Sequence, residues 1–141
     1  MIPDNEPSGV DIAIRVRDSG ALIVTDVNVE IVRLIHPYDR DIFIWLIGPK
    51  GKKVILSERL GESGDNFLHT VFDDQAQLSI AQGSPPFKGP WRPDDRRPGN
   101  SLRLLNGIKA NGPWILRVAD WEAGDTGTLY EWKLRLCRNV P

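Results

Sequence analysis

Twice between Gly112 and Leu136 the chain alternates apolar and polar residues with period two, and that pattern commits it to strands rather than helices. Trp114, Leu116 and Val118 alternate with Ile115, Arg117 and Ala119. Tyr130, Trp132, Leu134 and Leu136 then alternate with Glu131, Lys133 and Arg135. A polar link rich in Asp and Gly joins the two runs, and Gly124 and Gly127 supply backbone freedom there. The pairing predicts that two tryptophans and Tyr130 face one core.

The rest of the chain reads the same way. Val10, Ile12, Ile14 and Val16 mark a first half-buried strand, and Asp18-Ser19-Gly20 reads as a turn. A long strand follows, with Ile23, Val27, Val29 and Ile31 on one face; its phase blurs at Ile31-Val32, where a bulge fits. Asp41 to Ile47 is apolar on both faces, as in a central covered strand. Gly48-Pro49-Lys50-Gly51 turns the chain back into Val54-Ile55-Leu56 as a hairpin partner. Residues 57 to 66 read as a loop, Phe67 to Phe72 as a strand, and Leu78 to Ala81 as another. Five prolines and three glycines between Gln82 and Asn100 predict a long surface loop. Leu102 to Leu105 fits either a brief strand or a turn of helix. No sustained helical period and no internal repeat is present, and about eight or nine short strands imply an all-β sandwich or jelly roll.

Length and charge narrow the function. A chain of 141 residues suffices for one domain, 1–141, with a real core. Its 18 basic and 19 acidic residues leave a formal charge of -1, without the footprint expected for nucleic acid. No apolar run is long enough to span a bilayer, so membrane insertion is not expected. Met1 to Glu6 lacks the basic start and apolar centre of a signal peptide, which fits either a cytoplasmic protein or a piece of a longer secreted one. Cys137 stands alone, excludes an internal disulfide, and reads as a small apolar filler.

Catalytic patterns are weak. A triad needs a base against its serine and a carboxylate behind that base, and neither His36 nor His69 lies in a recognisable catalytic context. There is no Gly-x-Ser-x-Gly elbow and no zinc spacing. His36, followed by Pro37 and Tyr38, reads as a structural histidine bonding to backbone at a corner. Trp91 with Arg92, Arg96 and Arg97 mixes an aromatic with bases, but Asp94 and Asp95 neutralise them, so Trp91 is expected to tuck onto the sandwich. Exposed aromatics on jelly rolls also bind sugars, which keeps a carbohydrate-binding alternative open.

The aspartates are more informative, because they gather in expected loops and strand ends. Calcium takes six to eight oxygens from such carboxylates and from carbonyls, although Asp is also an ordinary turn former. Asp73 and Asp74, after a strand, are the first metal-site candidates, and Asp65, before the same strand, is the next. Asp39 and Asp41 flank the central strand. A structural calcium ion is the one cofactor expected, and no linear calcium motif supports it.

An ordered set of segments resembles a known family. Val27 to Ile31, His36-Pro-Tyr-Asp-Arg-Asp41-Ile42 and Leu46-Ile-Gly-Pro-Lys-Gly51 resemble the P domain, or homo B domain, of kexin- and furin-like proprotein convertases. Asn66-Phe67, Thr70 to Ala76, Pro86 to Gly89, Gly112 to Asp120 and Gly124 to Leu134 resemble its bacterial version, found beside subtilisin-like serine proteases. The resemblance implies a jelly-roll β-sandwich like the galactose-binding domains. It further implies a non-catalytic module that stabilises and modulates a protease catalytic domain, in cis or in trans, outside the cell or in the periplasm. Some microbial members are thought to hold structural calcium. No subtilisin-type catalytic segment stands in this sequence, so proteolysis is expected of a parent or partner.

Overall fold

The computed structural model describes residues 1–18 and 22–139; Ser19 and Gly20 of the expected turn lie outside the described residues. Eight strands, among the described residues, form two four-stranded sheets packed as a β-sandwich. In chain order they are β1 (Glu6–Val16), β2 (Ile23–Ile35), β3 (Ile42–Ile47), β4 (Lys53–Glu58), β5 (Phe67–Asp73), β6 (Gly89–Trp91), β7 (Gly112–Asp120) and β8 (Thr128–Asn139). One sheet runs β1-β7-β3-β4 and the other β6-β5-β2-β8. Three short 3-10 turns connect them, and no helix among the described residues is long and apolar enough to cross a membrane.

Alternation decides which side chains fill the space between the sheets. Ile42, Ile44 and Leu46 of β3, Trp114, Leu116 and Val118 of β7, and Val27, Val29 and Ile31 of β2 all enter the buried core. The neighbouring β5 adds Phe67 and Phe72 from the second sheet. Trp114 is fully buried and its indole N–H donates to the Ala110 carbonyl at 2.8 Å, so its one polar atom is satisfied.

Bulges explain where simple alternation fails. The β2–β8 register shifts between Ile31 and Leu34, the place where the sequence loses phase. Trp132 stays opposite Ile31, but beyond the irregularity Leu129 lies opposite Leu34, so Tyr130 turns outward and is 60% exposed under Arg33. Tyr130 is therefore not a core residue. A second shift, between Val24 and Asp26, makes Val24 rather than Ile23 the buried residue at the start of β2.

Three further expectations change. Residues 80–82 form a 3-10 turn, not a strand, with the Ser79 hydroxyl accepting from the Ala81 N–H. The proline-rich segment contains β6, which pairs parallel to β5, and buries Phe87; prolines hid it because they lower strand propensity. Cys137 is exposed rather than filling the core, while Leu102–Leu105 takes the helical of its two expected forms, as a 3-10 turn.

Candidate functional site

Functional side chains gather where β2 passes into β3 and β7 ends. After Ile35 the chain leaves the second sheet and crosses to the first through a 3-10 turn, Asp39–Asp41. Asp120, the last residue of β7, pairs in register with Ile42, and the Trp121 N–H donates to the Asp41 carbonyl at 2.8 Å. Asp41 and Asp120 are thus fixed side by side at one end of the sandwich.

His36 reaches them from the other sheet. Its Nε2 lies 3.0 Å from Oδ2 of Asp120, with both side chains fully buried. Nδ1 accepts the Tyr38 N–H at 3.1 Å and therefore carries no proton, so Nε2–H donates to the carboxylate. Asp120 Oδ1 accepts the Glu122 N–H. This pair joins the two sheets in the interior, where a satisfied buried hydrogen bond rigidifies the structure. The sequence signalled the corner and the backbone bond; the carboxylate 84 residues away carried no local signal.

Asp41 completes a group of three ligand atoms that lie within 4.8 Å of one another. Burial, and then the Asp120 carboxylate, push the Asp41 carboxyl above its ordinary range; His36 pulls the other way, and Asp125 and Glu122 add to the rise. Both ring nitrogens of His36 already have partners, so this trio fits a metal poorly as built.

Asp39 differs from all of these. It is fully buried, and its carboxylate oxygens make no hydrogen bond of ordinary geometry, although the Asn66 N–H, itself bonded to the His36 carbonyl, bears on them. The segment Arg59–Asn66 folds over it: the Asp39 N–H donates to the Gly64 carbonyl, the Arg40 N–H to the Glu62 carbonyl, and the Asn66 N–H to the His36 carbonyl. Arg59, Gly61, Glu62 and Asn66 all take positive φ. A Cβ at Gly61 would stand 2.8 Å from that of Asp39, so the close approach needs glycine. Desolvation pushes the Asp39 carboxyl up to about 8, against the lowering by a backbone bond at Asn66, and the nearby charge of Asp65 adds to the rise.

The outer face of β3 carries a second feature. Phe43 and Trp45 stack at 3.8 Å between ring centroids, and Trp121, 37% exposed, stacks on Phe43 at 5.6 Å. Ile55 of β4 and Ile115 of β7 lie opposite Trp45 and Ile47 in the ladders and extend the strip. The central strand is apolar on both faces as expected, but its outer side is covered by its own aromatics.

The proprotein convertase P-domain family matches residues 24–136. The chain belongs to that family. No curated protein sequence matches this P-domain. Among solved structures, the serine protease of Aeromonas sobria in complex with the chaperone ORF2 is similar at 24% identity and a TM-score of 0.55. The serine protease of Aeromonas sobria crystallised by itself is similar at 23% and 0.54. The match covers 96% of this P-domain and 24% of each protease chain, so the domain spans about a quarter of their length.

Among the described residues, the three sequence-derived metal candidates do not form a group of three converging ligand atoms. Asp74 accepts the N–H groups of Leu102 and Arg103 at 3.0 and 2.8 Å, fastening the 3-10 turn that follows the proline-rich segment. Asp73 Oδ1 accepts the Gln75 N–H at 2.9 Å, an ordinary turn closure. Asp65 is exposed, and its charge acts on Asp39. Trp91 tucks in as expected, its indole N–H donating to the Phe87 carbonyl at 2.9 Å.

Proposed function

We propose that this P-domain is a non-catalytic module that stabilises and modulates a secreted subtilisin- or kexin-like serine endopeptidase. Proteolysis belongs to a catalytic domain in cis or in trans, outside the cell or in the periplasm. The observation that carries this reading is the family match over residues 24–136, which agrees with a fold shared with one quarter of a serine protease chain. The interior supports the non-catalytic half: the one His–Asp pair that resembles catalytic machinery is sealed between the sheets. The aromatic strip of Phe43, Trp45 and Trp121 is the surface best suited to face the catalytic domain, because aromatic residues dominate such contacts.

The purified chain should leave a general peptide substrate uncleaved. Cleavage that follows the protein through purification and disappears in His36→Ala, with the fold retained, would overturn the non-catalytic reading. A second reading, a carbohydrate-binding module, draws on the same exposed Trp121. Retention on an insoluble polysaccharide, lost in Trp121→Ser, would replace the first reading with it.

A further inference from the structure

We infer that the hollow lined by Arg92, Ser101 and Arg103, with the apolar shelf beside it, is a groove for an extended peptide segment that carries a carboxylate next to an aliphatic side chain. The groove lies at the β6 edge of the second sheet, whereas the aromatic strip lies on the first. This role does not depend on which protease the module serves.

The hollow, about 450 Å³, sits among the turn after β5, the segment after β6 and the 3-10 turn Leu102–Leu105. Bonds to backbone hold its walls. Asp74 accepts the Leu102 and Arg103 N–H groups, and the Asn100 side chain bonds the N–H and carbonyl of Ile55 and the Asp94 carbonyl. What these bonds leave over is chiefly donors. The Arg103 guanidinium and the side-chain amides of Gln75 and Asn106 make no hydrogen bond or ion pair among the described residues. Arg92 has Asp95 at 3.7 Å, too far for a hydrogen bond, and its Nε lacks an acceptor. Ser101 Oγ, also withdrawn from water, has no partner either. Native proteins rarely leave such atoms unmet. Two guanidinium groups without an acceptor suit a carboxylate, whose paired oxygens match the arginine fork.

Apolar surface adjoins these donors. Ala76, Leu78, Pro90 and Trp91 line a second hollow of about 450 Å³, and Gln75 lines both. The Arg92 N–H donates to the Leu78 carbonyl at 2.8 Å and the Ile80 N–H to the Arg92 carbonyl at 3.0 Å, so shelf and guanidinium wall are fastened together. Leu78 is half exposed. The Trp91 ring is packed instead: its N–H donates to the Phe87 carbonyl, and a Cβ at Gly83 would stand 2.9 Å from it. An aliphatic side chain therefore fits the shelf better than a sugar ring, which needs an open aromatic face. A carboxylate beside an aliphatic group is peptide chemistry, either an acidic residue next to a leucine or a chain that ends in one.

The test titrates the purified, isotope-labelled chain with short peptides and follows the Arg92 Nε–H and Trp91 indole N–H signals by NMR. One probe is acetyl-Ala-Leu with a free terminal carboxylate, and the other is acetyl-Leu-Glu-amide. Movement of both signals by either peptide supports the proposal, and the peptide that binds tells whether a chain end or an acidic side chain is read. Neutral acetyl-Ala-Leu-amide should bind at least about tenfold more weakly. Arg103→Gln, an exposed position whose fold a melting curve checks, should weaken binding by at least about tenfold. Leu78→Ser should weaken it several-fold, and Arg135→Gln, on β8, should bind as wild type. The proposal is overturned if neither carboxylate peptide moves the signals at about 10 mM, where any Kd of 1 mM or below would fill the site. It is equally overturned if the neutral amide binds as well, if Arg103→Gln binds as wild type, or if glucuronic acid moves the same signals at lower concentration than either peptide, which would make the groove a sugar site.

Discussion

Asp39 pays for its position in a way that pH should expose. Its carboxyl is pushed up to about 8 in the folded protein, against about 3.9 in an unfolded chain. Between those values the folded state holds a proton that the unfolded state has released, so stability is full below pH 4 and falls as pH rises toward 8. In chelator, Asp39→Asn should match wild type near pH 4 and exceed it above pH 8 by on the order of a few kcal/mol. Urea unfolding of both proteins across that range measures the difference, and parallel curves would contradict it; Asp41, also raised, is common to both and cancels. The tryptophans allow a second comparison. Trp114→Ala and Trp132→Ala should each cost about 3–5 kcal/mol. Trp114 donates to Ala110, whereas the buried Trp132 indole nitrogen has no partner. Phenylalanine should therefore cost about 1 kcal/mol more at 114 than at 132. Equal losses in denaturant unfolding would contradict that.

At the scale of elements, the β8 entry turns on one glycine. Gly127 does not need unusual backbone; a Cβ there would stand 2.5 Å from the Ile35 carbonyl oxygen and 2.7 Å from the His36 ring. Gly127→Ala should cost about 1–3 kcal/mol by forcing the His36 corner apart, visible as a lowered urea midpoint, while an unchanged midpoint would show that the corner yields freely. Gly124, by contrast, has φ +119 and open space around it, so there the need is conformational. These two glycines show how much the sequence reveals. Alternation along β1, β3, β7 and β8 was legible because each strand buries one face or sits centrally, and period two follows from that. The bulge at Ile31–Leu34 was legible as a break in phase, yet its effect on Tyr130 was not, since the extra residue lies on the partner strand. β6 was hidden among prolines, held by only three residues of parallel pairing. The candidate site was half legible: Asp39, Asp41 and Asp65 stood out as loop acids, but which of them lacks a partner depends on how Arg59–Asn66 folds back, a tertiary matter. Asp73 and Asp74 looked equivalent in sequence and are spent on backbone N–H groups that only the fold brings near.

For the whole molecule, the two halves of the account have separate places. One end of the sandwich holds the buried His36–Asp120 pair and the Asp39 loop, which tie the sheets together. The outer face of β1-β7-β3-β4 carries the aromatic strip, with Trp121 as its exposed member. A module that binds its protease folded and not unfolded stabilises it by mass action or, when tethered, by a high effective concentration. The most direct measurement is the thermal-inactivation half-life of the serine protease proposed to carry or accompany this P-domain, with residues 1–141 present and deleted. The account predicts a several-fold shorter half-life on deletion, reproduced in part by Trp45→Ser with Trp121→Ser in the intact protein. An unchanged half-life and yield on deletion would contradict it.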